Sequence, residues 1–203
     1  MNRAILILTG SLLATPNALS NDVVYYNQYE NIEQGWRACG ITSIAMMLDH
    51  FSVPVPKDPE SRTPDYVFSR FGIRQQPEEL AAIFNVLARQ AGVSVRDHFY
   101  ENGSITQLRE HLKSGHPAMV HGWFTESGHI LIVTNFDGAY YTVNDPAGKW
   151  NLGKHSQGRY SQTESGQKIK YPASEFEHAI NDNGRGNDLW LHIFLPSTEK
   201  DRQ

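Results

Sequence analysis

The sequence predicts an α+β fold, helices first and an antiparallel sheet second, and two observations carry that prediction. Apolar residues recur at helical spacing through the first half of the chain. From residue 117 onward, short runs rich in β-branched and aromatic residues are separated by Gly, Asn and Asp, the pattern of strands and tight turns. No repeat and no long linker divides the chain, so residues 21–203 are expected to form a single domain.

Each element has its own signal. Between Cys39 and Phe51, the residues Ile41, Ile44, Ala45, Leu48 and Phe51 lie on one stripe and predict the first helix. Thr63-Pro64-Asp65 predicts a second, a capping residue followed by proline at the first helical position, with Val67, Phe68 and Phe71 apolar and Gly72 as its stop. Pro77 opens a third, whose Leu80, Ile83, Phe84, Leu87, Ala88 and Ala91 form an apolar side and whose Gly92 sits where a left-handed cap belongs. Ser104 followed by Gln107 has capping-box spacing and starts a fourth helix that Gly115 stops. Strands are expected at 117–124, 130–136, 140–143 and 189–195, with Asp137-Gly138 as a hairpin turn. Residues 146–173 read as a long loop or weak hairpin, and Ala173 to Ile180 as one more helix.

The first twenty residues are set apart. Met1-Asn2-Arg3 is a short positive start, Ala4 to Ala14 is mostly apolar, and Ala18-Leu19-Ser20 places small residues at a cleavage site. The pattern predicts a secretory signal peptide cut near Ser20, and a periplasmic or extracellular protein. The apolar run falls short of the roughly 20 residues that span a bilayer, so no stable membrane insertion is expected after cleavage.

Composition narrows the function. Lys and Arg total 18 against 22 Asp and Glu, a net charge of −4 with both signs scattered, so no basic stripe is available for nucleic acid. The single cysteine, Cys39, excludes an internal disulfide and a cysteine-built zinc site. An unpaired thiol in an oxidising compartment is exposed to oxidation, so its retention calls for a reason. Its position at the first turn of a predicted helix supplies one. Unsatisfied backbone donors and the positive end of the helix dipole favour a thiolate there, and the thiolate is the nucleophile. Gly40 next to it would let a substrate backbone approach the sulfur.

A thiol nucleophile needs a base with an orienting partner. His50, His98, His111, His155 and His178 fall in helical or polar surroundings and read as surface histidines. His129 starts a predicted strand, and the Asp137-Gly138 turn brings the following strand back to end at Asn144-Asp145-Pro146. A two-residue loop would set His129 opposite Pro146 with Asn144 diagonal to it; a three-residue loop would set it opposite Asp145. Asp145 and Asn144 are therefore both candidates to hold the imidazole tautomer, and a carboxylate would also stabilise the imidazolium.

Gln28, the run from Cys39 to Leu48, the Gly128-His129-Ile130 strand start and the Asn144-Asp145-Pro146 strand end resemble the papain-like cysteine peptidases of the bacteriocin-processing type, in particular their stand-alone secreted members. The resemblance implies a papain-like fold with Cys39 as nucleophile, His129 as base, Asp145 as orienter and Gln28 as oxyanion donor. Gln34 rivals Gln28, because papain-like enzymes more broadly keep that glutamine nearer the cysteine. No transporter region is attached, so the leader-processing role of better-known relatives does not carry over.

The expected activity is hydrolysis of amide bonds in a protein or in the peptide part of a cell wall. A papain-like module that binds without turnover, and acyl transfer to an amine as in transglutaminases, are the alternatives. No cofactor is expected. His116 and His121 point to opposite faces of a strand and make a poor metal pair, and residues 182–188 lack the ordered spacing of a calcium loop. Trp36, Trp123 and Trp150 are candidates to line a substrate groove, with core packing the reading for at least one of the three.

Overall fold

A computed structural model describes residues 22–153, 160–161 and 163–198; the expected signal peptide and His155 lie outside them. Helix α1 spans Cys39–His50, α2 Thr63–Phe71 and α3 Pro77–Gln90. They are followed by strand β1 (Val95–Gly103) and helix α4 (Ile105–Lys113). Strands β2 (Ala118–Gly122), β3 (His129–Phe136) and β4 (Tyr140–Asn144) come next, then the two-residue strands β5 (Lys149–Trp150) and β6 (Tyr160–Ser161). The chain closes with β7 (Ile169–Pro172), helix α5 (Ala173–Ile180) and β8 (Leu189–Pro196). Among the described residues no helix is long and apolar enough to cross a membrane.

Six strands form one antiparallel sheet in the order β1-β8-β2-β3-β4-β7, and β5 pairs with β6 apart from it. The expected architecture of helices on an antiparallel sheet is present, with three refinements. Strand β7, inside the stretch read as a loop or weak hairpin, joins the sheet beside β4. Helices cover both faces: α1 and α3 pack on one with Ile132 and Phe194, whereas α4 and α5 cover the other with Val133 and Tyr141. Strand β1 is also new, because its sequence, with Arg96-Asp97-His98 at its start, lacks the apolar alternation that marks a strand. Its polar side chains find partners instead: Arg96 Nη1 donates to the carbonyls of Val93 and Val95, and Asp97 accepts from His192.

Helix α1 is buried on every side, all its residues but Asp49 being out of solvent, so it is a core helix rather than a surface one. Asp49 accepts hydrogen bonds from Tyr26 and Thr63, which ties the start of α2 to α1. Thr63 is thus spent on Asp49, and the residue before α2 is Arg62, which makes no side-chain cap. The α4 start is as expected, with Ser104 Oγ accepting from the Gln107 N–H at 3.0 Å. His50 and His111 are not surface histidines; each is 8% exposed, and His111 Nε2 bonds the Pro117 carbonyl.

The β3–β4 hairpin follows neither expected register. Its loop is held by Asp137, whose Oδ1 accepts from the Ala139 and Tyr140 N–H groups, and Phe136 pairs with Tyr141. A bulge at Thr134 then shifts the ladder, so Val133 pairs with Val143 and Ile132 with Asn144, where the pairing ends. Asp145 therefore reaches His129 from the turn after β4, not as a cross-strand neighbour.

Candidate active site

Cys39 is the first residue of α1, and the Thr42 N–H to Ala38 carbonyl bond closes the first turn behind it. The thiol sits at the helix end where backbone donors point outward, as its sequence position predicts. Gly128, at φ +77°, ends a tight turn in which its N–H donates to the Thr125 carbonyl, and so delivers His129 at the start of β3. A side chain at that φ would be strained, so glycine fits this approach to the histidine.

His129 Nε2 donates to Asp145 Oδ1 at 2.7 Å, and the imidazole also bonds the Cys39 side chain, which leaves Nδ1 as the nitrogen facing sulfur. Asp145 is fully buried, and Cys39 and His129 are each 7% exposed. Burial pushes His129 toward its neutral form, the largest single influence, but the Asp145 carboxylate and the charge and hydrogen bond of Cys39 together outweigh it. The imidazole pKa is raised to about 10.

Asp145 is held by residues far along the chain. Its Oδ1 also accepts from the Ala147 N–H, its Oδ2 accepts from the Tyr171 hydroxyl, and its backbone N–H donates to the Gly166 carbonyl at 2.8 Å. A Cβ on Gly166 would lie 1.8 Å from the Asp145 carbonyl oxygen, so only glycine permits this approach. Tyr25 completes the cage, donating to the Asp145 carbonyl and accepting from the Gly166 N–H. Burial, then the nearby Asp145 charge, raises the pKa of Tyr171, which keeps its hydroxyl a donor. None of Tyr25, Gly166 or Tyr171 carries a sequence signal, because each acts only through a contact with a segment distant in the chain.

Asn144, the rival orienter, is engaged elsewhere: Nδ2 donates to the Val23 carbonyl and Oδ1 accepts from the Lys168 N–H. Gln28 is buried, its backbone N–H bonded to the Pro146 carbonyl and its Nε2 donating to the Gly35 carbonyl at 2.8 Å, while Oε1 has no partner among the described residues. Gln34 is exposed, with a left-handed backbone at φ 48°.

The cleft beside the thiol has a volume of about 410 Å³ and is lined in part by Cys39, His129, His121, Trp123 and Trp190. Glu101, Asp182 and Asp188 also line it, and among the described residues no Lys or Arg does. Of the expected substrate contacts, Trp123 lies in the cleft. Trp36 is 72% exposed beneath the Arg37 guanidinium and outside the lining. At Gly40 a Cβ would meet the Arg74 carbonyl at 2.6 Å, so its small size serves the packing of α1. Trp150 packs in the core against Phe124 and Tyr171. Residues 182–188 form a polar turn closed by Asn183 and Asp188, and no group of three or more metal-ligating side chains occurs among the described residues.

Three comparisons bear on this arrangement. A family model described as "Peptidase_C39 like family" matches residues 20–180. No curated protein matches the chain. Among solved structures, it is similar to a double glycine motif protease from an AMS/PCAT transporter in complex with its leader peptide, at TM-score 0.52 and 21% identity over 88% of this chain and 94% of that one. It is also similar to a structure described as a C39-like peptidase from Bacillus anthracis, at TM-score 0.51 and 16% identity over 89% and 98%. At these identities the likeness is one of fold, the papain-like fold expected from the sequence.

Proposed function

The chain belongs to the Peptidase_C39 like family, whose fold and peptidase-type function are its starting point, and from that premise we propose that it is an exported cysteine peptidase or amidase with Cys39 as nucleophile. The observation that carries this reading is the 2.7 Å bond from His129 Nε2 to the buried Asp145, with Cys39 on the other side of the ring. A nucleophile, its base and the base's orienter are then in one line.

With its pKa raised, His129 holds the Cys39 proton as the imidazolium, and the thiolate attacks the carbonyl carbon of a bound amide. The oxyanion is held by the Cys39 backbone N–H and by Gln28, whose Nε2 has a second hydrogen beyond the one spent on Gly35. The His129 imidazolium passes its proton to the leaving amine as the C–N bond breaks and a thioester remains on Cys39. His129 then takes a proton from water, the hydroxide attacks the thioester, and the carboxylic acid leaves as the thiol is restored.

A peptide substrate is supported by the similar protease that was solved with a leader peptide. The carboxylates of Glu101, Asp182 and Asp188 in the lining suit a peptide of neutral or positive charge. The expected signal peptide makes it a secreted enzyme; intact mass of the exported protein should begin near Asn21, and a retained N-terminus would refute export with cleavage.

The main test pairs wild type with Cys39→Ala on protein and cell-wall peptide substrates. Loss of the nucleophile should lower turnover by about 10⁵-fold or more, to background. Retained activity in that variant would end the proposal. Product analysis with and without added amine separates hydrolysis from acyl transfer, and a thiol that iodoacetamide labels only above pH 8 would favour a binding module.

A further inference from the structure

A second histidine–aspartate pair lies beside the first and is outside the mechanism above. Asp97 on β1, His192 on β8 and His121 on β2 form a line across three adjacent strands, on the face that α1 and α3 cover. His192 Nδ1 meets Asp97 Oδ2 at 2.8 Å, and His192 Nε2 meets His121 Nε2 at 3.1 Å. The side chains of Asp97 and His192 are both fully buried, and the ring of His121 lies nearly parallel to that of His192, edge to edge with it, and against Trp190. His121 lines the cleft that holds Cys39. With Nε2 spent on His192, its Nδ1 has no protein partner among the described residues.

The protons along this line follow from charge. Protonated at both nitrogens, His192 would match the buried Asp97 carboxylate with a cation through Nδ1 and have a hydrogen left on Nε2. Its Nε2–H then donates to His121 Nε2, which must present a lone pair. A neutral His121 that accepts at Nε2 carries its hydrogen on Nδ1. We propose that Asp97 and His192 fix His121 as a neutral Nδ1–H donor that holds a backbone carbonyl of the bound peptide in the cleft, which makes His121 a substrate-binding residue and the other two positioning residues. Burial, then the charges of His192 and His129, holds the His121 pKa well below its ordinary value, so the donor form is kept neutral. The proposal rests on the peptidase reading and adds a contact to it.

The test has two arms on the full chain. Nitrogen-15 NMR of the histidine rings should find His192 protonated at both nitrogens and His121 protonated at Nδ1 alone. In Asp97→Asn, His192 becomes neutral and His121 should switch to Nε2–H. Nε2–H in wild type, or no switch in the variant, overturns the proposal. The second arm compares Cys39 inactivation by a pool of peptidyl chloromethyl ketones with inactivation by iodoacetamide. His121→Phe keeps an aromatic ring against Trp190 and removes the donor, and should lower the peptidyl-to-iodoacetamide rate ratio by about tenfold, the worth of one hydrogen bond. His121→Asn, which restores a donor, should recover part of it. An unchanged ratio in His121→Phe, or wild type that shows no preference for the peptidyl reagents, rejects the carbonyl contact. Loss of iodoacetamide labelling in wild type at neutral pH would instead count against the peptidase reading, while the NMR arm would still decide the histidine chain.

Discussion

Two buried histidines each donate to an aspartate whose side chain is fully buried, His129 to Asp145 at 2.7 Å and His192 to Asp97 at 2.8 Å. They differ in what meets the second ring nitrogen and in how the aspartate is held. His129 faces a thiol at the cleft, and Asp145 has further donors in Tyr171 and the Ala147 N–H. His192 faces another imidazole, has no exposure, and is the partner bonded to the Asp97 side chain. The same pair of side chains thus serves chemistry where one end opens to the cleft, and fixed geometry where both ends are closed.

Removing each aspartate separates the two roles. Asp145→Ala should lower kcat/KM by about 10³- to 10⁴-fold, as loss of a base's orienter does, with a smaller effect on folding because His129 reaches the cleft and can shed its proton there. Asp97→Ala should act on stability, by about 1–3 kcal/mol, because the buried His192 loses the acceptor of its Nδ1–H and a buried donor is left unsatisfied. Kinetics and urea unfolding on both variants check this; a purely structural loss in Asp145→Ala would erase the contrast.

A further effect is expected in the pH dependence of folding, with opposite signs for the two histidines that reach the cleft. His129 has its pKa raised from 6.5 to about 10, so its contribution is complete below about pH 6.5 and is lost as pH climbs toward 10. His121 has its pKa lowered below 6.5, so the unfolded chain binds that proton first and stability is lost as pH falls through about 6.5. The gap in urea midpoint between wild type and His129→Gln should narrow between pH 6.5 and 10. Against His121→Phe, wild type should lose ground on acidification. Slopes of the same sign would contradict the assignment.

Much of the frame was legible in the sequence because its causes are local. The helix that begins at Cys39, the Ser104 cap and the turn at Asp137-Gly138 depend on residues within a few positions of each other. Strand β1 was not legible, since Arg96 and Asp97 are tolerated there only because Val93, Val95 and His192 supply partners. The histidines misled for the same reason: helical His50 and His111 look like surface residues until the packing around them is known.

The sequence by itself determined the five helices and the strands β2, β3, β4 and β8 in their order, the thiol at a helix start, and His129 with Asp145 or Asn144 as a candidate pair. Tertiary structure decided which residue meets His129, since the bulge at Thr134 shifted the ladder and the turn after β4 brought Asp145 rather than Asn144 to the ring. It also decided the cage of Tyr25, Gly166 and Tyr171 and the line from Asp97 to His121. The physical reason is distance along the chain. A cap or a turn is stabilised by neighbours that the local sequence already contains, whereas a buried carboxylate needs donors from segments as far away as 95 residues, and only the folded chain brings them together.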